Sequence, residues 1–211
     1  MSTRRVRQHV NPLRSTLLNI ELPDLGLKDG VPLDVELGSA EAHLMLELAE
    51  AHPERQFIGL EIRAELIRRA NRQAEKRGLQ NFKNVFSNIS VDLPRLFPPG
   101  RVDRFFLYFP DPWFKKWQHK RRVIEPSLAQ GMLRALKPGG EIHVATDIFD
   151  LALDAMAALE SLADAGLVVN LVAPWRFSRT RPVQARSRRE KQCEAQDTRV
   201  WRLAYRGLTP L

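Results

Sequence analysis

The sequence has little with which to build a disulfide, a thiolate metal centre or a membrane span. Cys193 is the only cysteine among 211 residues, so an intramolecular disulfide and a metal site made of several thiolates are both excluded. No run of about 18 consecutive apolar residues occurs, which argues against a membrane-spanning helix. Residues 1–15 contain basic side chains but no apolar stretch after them, so we expect no secretory signal and a cytoplasmic location.

Acidic side chains are also scarce. The 25 Asp and Glu residues stand against 33 Lys and Arg, which gives a formal net charge of +8. Such an excess attracts polyanions, with nucleic acid as the leading candidate and an anionic membrane surface as the second. His9, His43, His52 and His143 show no spacing typical of metal ligands, so we expect no metal site.

Short apolar runs alternate with longer helical patterns from residue 33 onward. Strands are predicted at residues 33–37, 56–62, 81–87, 103–109, 141–147, 167–172 and 199–206, and helices at 40–53, 64–78, 124–140 and 148–166, with a short helix before residue 97. This alternation predicts an open α/β sheet of mostly parallel strands. Residues 1–30 and 176–192 are basic and predicted to be irregular, so we expect a basic extension over 1–30 and one domain over 31–211.

Polar residues follow the predicted strands at the positions where ligands bind. In open α/β sheets, that place is the edge beyond the carboxyl ends of the strands. Four carboxylates are expected to meet there, with two further residues beside them: Glu36, Glu61, Asp111 and Asp147, together with Gly38 and Asn88. A single acid at a strand end often caps the next helix. Four acids together favour a binding site.

The loop after the first predicted strand limits which cofactor can bind. Glu61 follows Gly38 by about 20 residues, the interval at which an acid binds the ribose hydroxyls of a nucleoside cofactor. The loop reads "ELGSAEAH", with Ala40 and Ala42 where further glycines would let the backbone approach a pyrophosphate. A nicotinamide cofactor is therefore disfavoured. A cationic cofactor without phosphates, such as S-adenosylmethionine, suits the acids better.

The segment "YFPDPWFKKWQHKRR" (108–122) places one acid next to many cations. Asp111 lies between two prolines, which would fix the direction of its carboxylate. Trp113 and Trp117 could stack on an unpaired base or simply pack beneath the loop. The cations predicted to bind phosphates, with a solvated charged surface as the alternative, include Lys115, Lys120, Arg121 and Arg122.

Five segments in order, "VELG", "IGLEIR", "SNIS", "FPDPWFKKWQHKRR" and "ATD", resemble the tRNA (guanine-N7)-methyltransferases. The resemblance runs from about residue 33 to residue 205. Its fourth segment is highly specific, whereas the others are generic to the wider methyltransferase fold. The early "RQHVNP" (7–12) is similar to a basic element found before the domain in some members. The resemblance implies a Rossmann-like class I methyltransferase fold, with a mostly parallel twisted sheet and helices on both faces.

The resemblance also implies roles for individual residues. Those implied to line an S-adenosylmethionine pocket are Glu36, Gly38, Glu61, Asn88 and Ile89. Asp111 matches the catalytic-site aspartate of the family, and Lys115 and Asp147 match residues that contact the tRNA substrate. Ser187 and Glu190 in "SRRE" are a looser match to a T-x-x-E element that closes the site. No metal or membrane is implied, and monomer, homodimer and partnered forms all remain open.

The leading hypothesis is methyl transfer from S-adenosylmethionine to N7 of a guanosine in the variable loop of tRNA. N7 already has a lone pair and carries no proton, so alignment rather than a base is required. The second hypothesis is a non-catalytic or weakened RNA-binding homologue with a degenerate cofactor loop, because Ala40 and Ala42 depart from the family pattern. A nicotinamide oxidoreductase and a small-molecule methyltransferase are less favoured.

Overall fold

The computed structural model describes residues 21–110 and 126–208. The strands in these ranges are β1 (Leu33–Leu37), β2 (Gln56–Glu61), β3 (Phe82–Phe86), β4 (Val102–Tyr108), β5 (Leu136–Thr146), β6 (Val168–Asn170) and β7 (Trp201–Gly207). The helices are α1 (His43–Ala51), α2 (Ala64–Lys76), α3 (Ile89–Leu96), α4 (Pro126–Ala135), α5 (Phe149–Asp164) and α6 (Arg188–Ala195). None of the helices in the described ranges is long and apolar enough to cross a membrane.

The strands form one mixed sheet in the order β3-β2-β1-β4-β5-β7-β6. Strands β1 to β5 run parallel to one another. Strand β7 lies antiparallel between β5 and β6. The predicted α/β fold is therefore confirmed. Because five parallel strands end at the same edge, the loops that follow them are brought together there.

Helices cover both faces of the sheet, which explains why its central strands are buried on both faces. All five residues of β1 are buried. On β4, Phe105 belongs to a hydrophobic cluster with α3, α4 and α5. The next residue, Phe106, belongs to a second cluster with α1 and α2. Alternate residues of one strand thus anchor opposite helical layers.

The prediction of a helix over residues 124–140 is wrong at its C-terminal end, while residues 124 and 125 lie outside the described ranges. Helix α4 ends at Ala135, and Leu136 already pairs with Val102 at the start of β5. Pro138 is incompatible with a continuing helix. A Cβ at Gly140 would lie 2.8 Å from the carbonyl oxygen of Asp103, so only glycine allows this close strand pairing.

The prediction that residues 176–192 are irregular is wrong in its last part. Helix α6 begins at Arg188, and the Ser187 hydroxyl caps it by accepting a hydrogen bond of 3.2 Å from the Glu190 N–H. A serine followed three residues later by glutamate is the sequence signature of this cap. The many charged residues of the segment led to a prediction of irregular structure, although its last part forms a short helix.

Residues 21–30 have no regular structure but pack against the sheet. Leu25 is buried in the larger hydrophobic cluster, and the Gln56 amide donates a hydrogen bond of 2.7 Å to the Gly26 carbonyl. The "RQHVNP" element lies outside the described residues. The separate basic extension over residues 1–30 stays a prediction.

Candidate active site

The loop after β1 holds three residues in the left-handed region of backbone conformation. Gly38 has φ 74°, Ala40 has φ 51° and Ala42 has φ 52°. Glycine adopts this conformation freely, whereas an alanine in it is strained by roughly 1–2 kcal/mol. The loop therefore keeps a backbone that suits glycine at positions where the sequence has alanine.

Glu61 at the end of β2 holds this loop in place. Its carboxylate accepts hydrogen bonds from the N–H of Ala40 at 2.8 Å, of Ile62 at 2.8 Å and of Arg63 at 2.9 Å. The Arg63 guanidinium adds two more, with Nε at 2.9 Å and Nη2 at 2.8 Å. Two parallel N–H···O bonds of this kind form a strong, directional pair. The predicted ribose-binding acid is thus fixed on both oxygens.

A second clamp on the same loop comes from β3. The Ser39 hydroxyl donates to the Asn84 side-chain oxygen at 2.9 Å, and the Asn84 amide donates to the Ala40 carbonyl at 3.3 Å. These contacts require a glycine on β2, because a Cβ at Gly59 would lie 2.5 Å from Asn84 Oδ1 and 2.7 Å from Ser39 Oγ. Three neighbouring strands therefore fix one loop.

Glu36 lies almost fully buried near the end of β1, at 4% exposure. Burial and the nearby Glu61 carboxylate raise the pKa of Glu36 to about 8. Its Oε2 atom has no hydrogen-bond partner among the described residues. A buried, unsatisfied acceptor is costly and rare in native proteins. Such an atom at a ligand-binding edge points to a group that arrives with the ligand.

The loop after β3 carries the next two predicted residues. Asn88 is buried, and its N–H donates a hydrogen bond of 2.8 Å to the buried Asp92 carboxylate in the first turn of α3. Ile89 opens that helix and is half-buried. Both residues therefore lie at the same sheet edge as the loop after β1.

Asp147 follows β5 and is held by helix α6. Its Oδ2 atom accepts a hydrogen bond of 2.5 Å from Arg189 Nη2. Glu190 in the same helix is 1% exposed, and its Oε1 accepts a hydrogen bond of 2.5 Å from Arg202 Nη2 on β7. The other Glu190 oxygen has no partner within the described ranges. A second buried carboxylate oxygen is thus left without a donor.

Tyr108, the last residue of β4, is buried and lies in the electrostatic field of both Glu190 and Glu36. Burial first, and then the neighbouring Glu190 carboxylate, raise the pKa of Tyr108, and Glu36 acts in the same direction. The residue after it, Phe109, has φ 50° and donates an N–H hydrogen bond of 2.7 Å to the Ala145 carbonyl. The chain therefore leaves β4 in a constrained conformation at the centre of the site.

Several predicted site residues lie outside the described residues. They are Asp111, Lys115, Lys120, Arg121 and Arg122. The described chain before them ends at Pro110, directly after β4, at the edge where Glu36, Glu61 and Asp147 meet. In the two described ranges, no cluster of three or more His, Cys, Asp or Glu side chains could hold a metal ion.

Comparison with known proteins identifies the family. Residues 31–203 match the family model described as "Putative methyltransferase". A tRNA (guanine-N(7)-)-methyltransferase from Synechococcus sp. (strain CC9902) is 35% identical over 209 residues, which cover 95% of this chain and 87% of the relative. The chain belongs to the tRNA (guanine-N7)-methyltransferase family. A second relative of that name, from Synechococcus sp. (strain JA-3-3Ab), is 38% identical over 152 residues. That match covers 70% of this chain and 64% of the relative, slightly less than two thirds of its length.

Solved structures show the same fold for this family member. An aminoglycoside resistance methyltransferase superimposes with a TM-score of 0.53 at 19% identity, covering 84% of this chain and 87% of its own. At such low identity the likeness concerns the fold alone. The Rossmann-like class I methyltransferase fold is confirmed.

Sequence reasoning missed the residues that hold the candidate site together in this family member. Arg63, Asn84 and Arg202 each bind a predicted site residue or its loop, yet the sequence assigned no role to any of them, although Arg63 closes the segment "IGLEIR". One signal was available: Gly59 interrupts an apolar strand, and a glycine inside a strand often marks a close approach. The other contacts depend on three-dimensional register, which spacing alone does not reveal.

Proposed function

We propose that this protein transfers a methyl group from S-adenosylmethionine to N7 of a guanosine in the variable loop of tRNA. The observation that carries the proposal is the loop after β1. It keeps left-handed backbone at Gly38, Ala40 and Ala42 and is clamped by Glu61. Strained backbone persists where the surroundings enforce it, and here Glu61 enforces a path that allows the backbone to approach a ligand closely.

The residues at the sheet edge fit S-adenosylmethionine. The Glu36 oxygen without a partner among the described residues and the loop of residues 38–42 supply an acceptor and a close backbone approach. We assign the cofactor to Glu36, Gly38, Glu61, Asn88 and Ile89. The Glu36 carboxyl group can lose its proton when a cationic ligand binds, which favours a cation over a phosphate-bearing ligand. When bound, S-adenosylmethionine supplies an electrophilic methyl group.

The two alanines of the loop differ in their surroundings. Ala42 is fully buried and packs in the cluster that contains α1 and α2, so its Cβ is part of the core. Ala40 is half-buried at the site itself. Only Ala40 is therefore placed to affect cofactor affinity through its methyl group.

Asp111 is the residue we assign to the target base. The guanine gains positive charge when N7 is methylated, and a nearby carboxylate stabilises that charge. A carboxylate also accepts hydrogen bonds from guanine N1–H and the exocyclic amine, which adenine cannot offer in the same pattern. We assign Asp147 and Glu190 to support of the same base, with Ser187 positioning Glu190 through its cap.

The cations that follow Asp111 complete the proposed substrate site. We assign Lys115, Lys120, Arg121 and Arg122 to tRNA phosphates, which fix the register of the nucleic acid without reading its sequence. A tRNA substrate is consistent with the net charge of +8, and we propose the cytoplasm as the place of action.

The second hypothesis, a non-catalytic RNA-binding homologue with a degenerate loop, is not favoured. Degeneration predicts loss of the contacts around the loop, yet Glu61, Ser39 and Asn84 all still hold it. The substitution of alanine for glycine has changed the side chains while the backbone path is retained.

The proposal is tested by incubating the protein with methyl-labelled S-adenosylmethionine and unmodified tRNA and counting the label in the tRNA. The wild-type protein is expected to transfer label. Asp111→Ala is expected to abolish transfer with tRNA affinity largely kept, whereas Lys120→Ala or Arg121→Ala should weaken tRNA binding and its salt dependence. Failure of the wild-type protein to bind S-adenosylmethionine by calorimetry would contradict the enzyme and favour an RNA-binding protein.

A further inference from the structure

An open groove of about 940 Å³ lies beside the candidate active site, between the segment after β6 and the start of β7. Its aromatic lining consists of Trp175, Phe177 and Trp201. Phe177 and Trp201 have ring centroids 4.9 Å apart, and Phe149 at the start of α5 packs against Trp201 at 4.7 Å. We call this surface the arginine–aromatic groove, because most of the polar residues that line it are arginines.

The arginine–aromatic groove adjoins the edge where the carboxylates meet. In the pairing of β5 with β7, Trp201 lies opposite Thr146, the residue directly before Asp147. Arg202 lines the groove and also binds the buried Glu190. A polymer held at the active site could therefore continue into the groove without crossing the rest of the molecule.

The charge of the arginine–aromatic groove has one sign. Four arginines line it, Arg176, Arg179, Arg199 and Arg202, and its lining in the described part of the chain includes no acid. Of these, only Arg202 is paired with a carboxylate among the described residues. Arg199 instead lies over the Trp201 ring, 3.7 Å from its centroid. Guanidinium groups not neutralised by acids suit an anionic partner.

Trp175 is presented to solvent by a rigid support. Its side chain is 57% exposed, and its backbone has the left-handed φ of 58°. The Trp175 N–H donates a hydrogen bond of 2.9 Å to the Glu160 carboxylate. Glu160 is itself buried and bound by Tyr205 at 2.6 Å and Asn170 at 3.0 Å. An exposed indole on a strained backbone, fixed by a buried network, is typical of a recognition surface.

We propose that the arginine–aromatic groove binds an unpaired stretch of the tRNA next to the target guanosine. Bases stack on Trp175 and on the Arg199–Trp201 pair, while Arg176 and Arg179 contact phosphates. Aromatic rings and arginine planes interleaved with positive charge are how proteins hold single-stranded nucleic acid. A protein partner is the less favoured occupant, because it would have to supply several acids at once. The inference rests on the proposed function only for the identity of the RNA.

The test measures the Kd of a fluorescently labelled tRNA transcript by anisotropy. Trp175→Ala is expected to raise Kd by roughly 5- to 150-fold, since stacking on one aromatic ring accounts for that much affinity. Trp175→Phe should recover much of the loss. Arg199→Ala is expected to weaken binding through lost stacking. Arg179→Ala removes a proposed phosphate contact and is expected to reduce the slope of log Kd against log salt by about 1. The loss should appear in the KM for tRNA more than in kcat.

Two variants at the opposite edge of the sheet serve as controls. Leu208→Ala removes an apolar side chain that is 51% exposed, after the end of β7. Arg77→Ala removes an arginine at the end of α2 that is paired with Glu50. Both should bind tRNA like the wild type, and thermal unfolding should show that all variants are folded. An unchanged tRNA Kd in folded Trp175→Ala and Arg199→Ala overturns the proposal.

The outcomes also separate this inference from the proposed function. If the wild-type protein transfers methyl groups while the groove variants bind tRNA normally, the groove proposal fails alone. If the groove variants lose tRNA affinity while the wild-type protein transfers no methyl group, the proposed function fails and the groove proposal stands.

Discussion

The Ala40 N–H donates a hydrogen bond of 2.8 Å to the Glu61 carboxylate. This contact joins the loop after β1 to the end of β2, and it does so at a residue with φ 51°. Alanine rarely adopts such a backbone unless outside contacts enforce it. The relationship explains how the loop can lose two glycines and keep its path.

Replacing Ala40 with glycine should stabilise the protein. The change removes roughly 1–2 kcal/mol of backbone strain from the folded state. Glycine also gives the unfolded chain more conformational entropy, which opposes folding by about 0.4–1 kcal/mol, so the net effect is a small stabilisation. We expect a rise in melting temperature of about 2–3 °C, at 2–4 °C per kcal/mol for a chain of this size, together with tighter S-adenosylmethionine binding.

Ala42→Gly is the matched comparison. It relieves a similar strain at φ 52° but also removes a methyl group that is fully buried, a loss of about 0.8 kcal/mol. With the same unfolded-state entropy cost of about 0.4–1 kcal/mol, these effects nearly cancel, so the melting temperature should change little. Equal stabilisation by both substitutions would show that the buried contact of Ala42 is unimportant.

Gly59→Ala should disrupt the Ser39–Asn84 contact that holds the loop after β1. The added Cβ would lie 2.5 Å from Asn84 Oδ1, so the Ser39–Asn84 hydrogen bond must break or β2 must shift. We expect a loss of about 1–3 kcal/mol in the free energy of unfolding and a marked loss of S-adenosylmethionine affinity, measured by urea denaturation and calorimetry.

Gly131→Ala in α4 is the control for that substitution. Its added Cβ would approach no side chain closer than 3.6 Å, and alanine favours a helix by about 1 kcal/mol over glycine. This variant should be neutral or more stable. Normal cofactor binding by Gly59→Ala would refute the role assigned to the clamp.

The ligand-free protein should become less stable as pH rises from about 4.5 to 8. Burial and Glu61 raise the pKa of Glu36 from 4.5 to about 8. In that window the folded state keeps a proton that the unfolded state has lost, so the free energy of unfolding falls with rising pH. Glu36→Gln should remove this dependence, and thermal unfolding at pH 5 and pH 8 measures it.

Binding of the cationic cofactor should reverse the protonation of Glu36. A positive charge nearby favours the carboxylate, so its pKa falls on binding and a proton is released. Calorimetry at pH 7 in buffers of different ionisation enthalpy should report a release approaching one proton. Absence of any release would place the cofactor away from Glu36.

The sequence predicted most of the fold because short, largely apolar segments alternate with longer segments of helical periodicity. It failed at Leu136–Gly140, where helix and strand meet without a polar break. It also failed at α6, where the charges resemble those of an irregular segment. At Leu136 the pairing with β4 determines the structure, and at α6 the Ser187 cap determines it. Neither could be read from the local pattern of apolar and charged residues.

The candidate site was predicted as a set of strand ends but without its support. The acids at Glu36, Glu61 and Asp147 could be placed because parallel strands end at one edge. The Arg63 pair, the Asn84 clamp and the position of Trp175 could not, since each depends on side-chain direction across separate elements. The sequence alone also could not show that Ala40 and Ala42 keep a left-handed backbone, because that requires their φ angles.

The most direct test of the account is the position of the transferred methyl group. The tRNA is incubated with the protein and isotopically methyl-labelled S-adenosylmethionine, digested to nucleosides and analysed by mass spectrometry. We expect the label in N7-methylguanosine and in no other nucleoside. A label on another atom, or no labelled nucleoside from a protein that binds S-adenosylmethionine, would contradict the account.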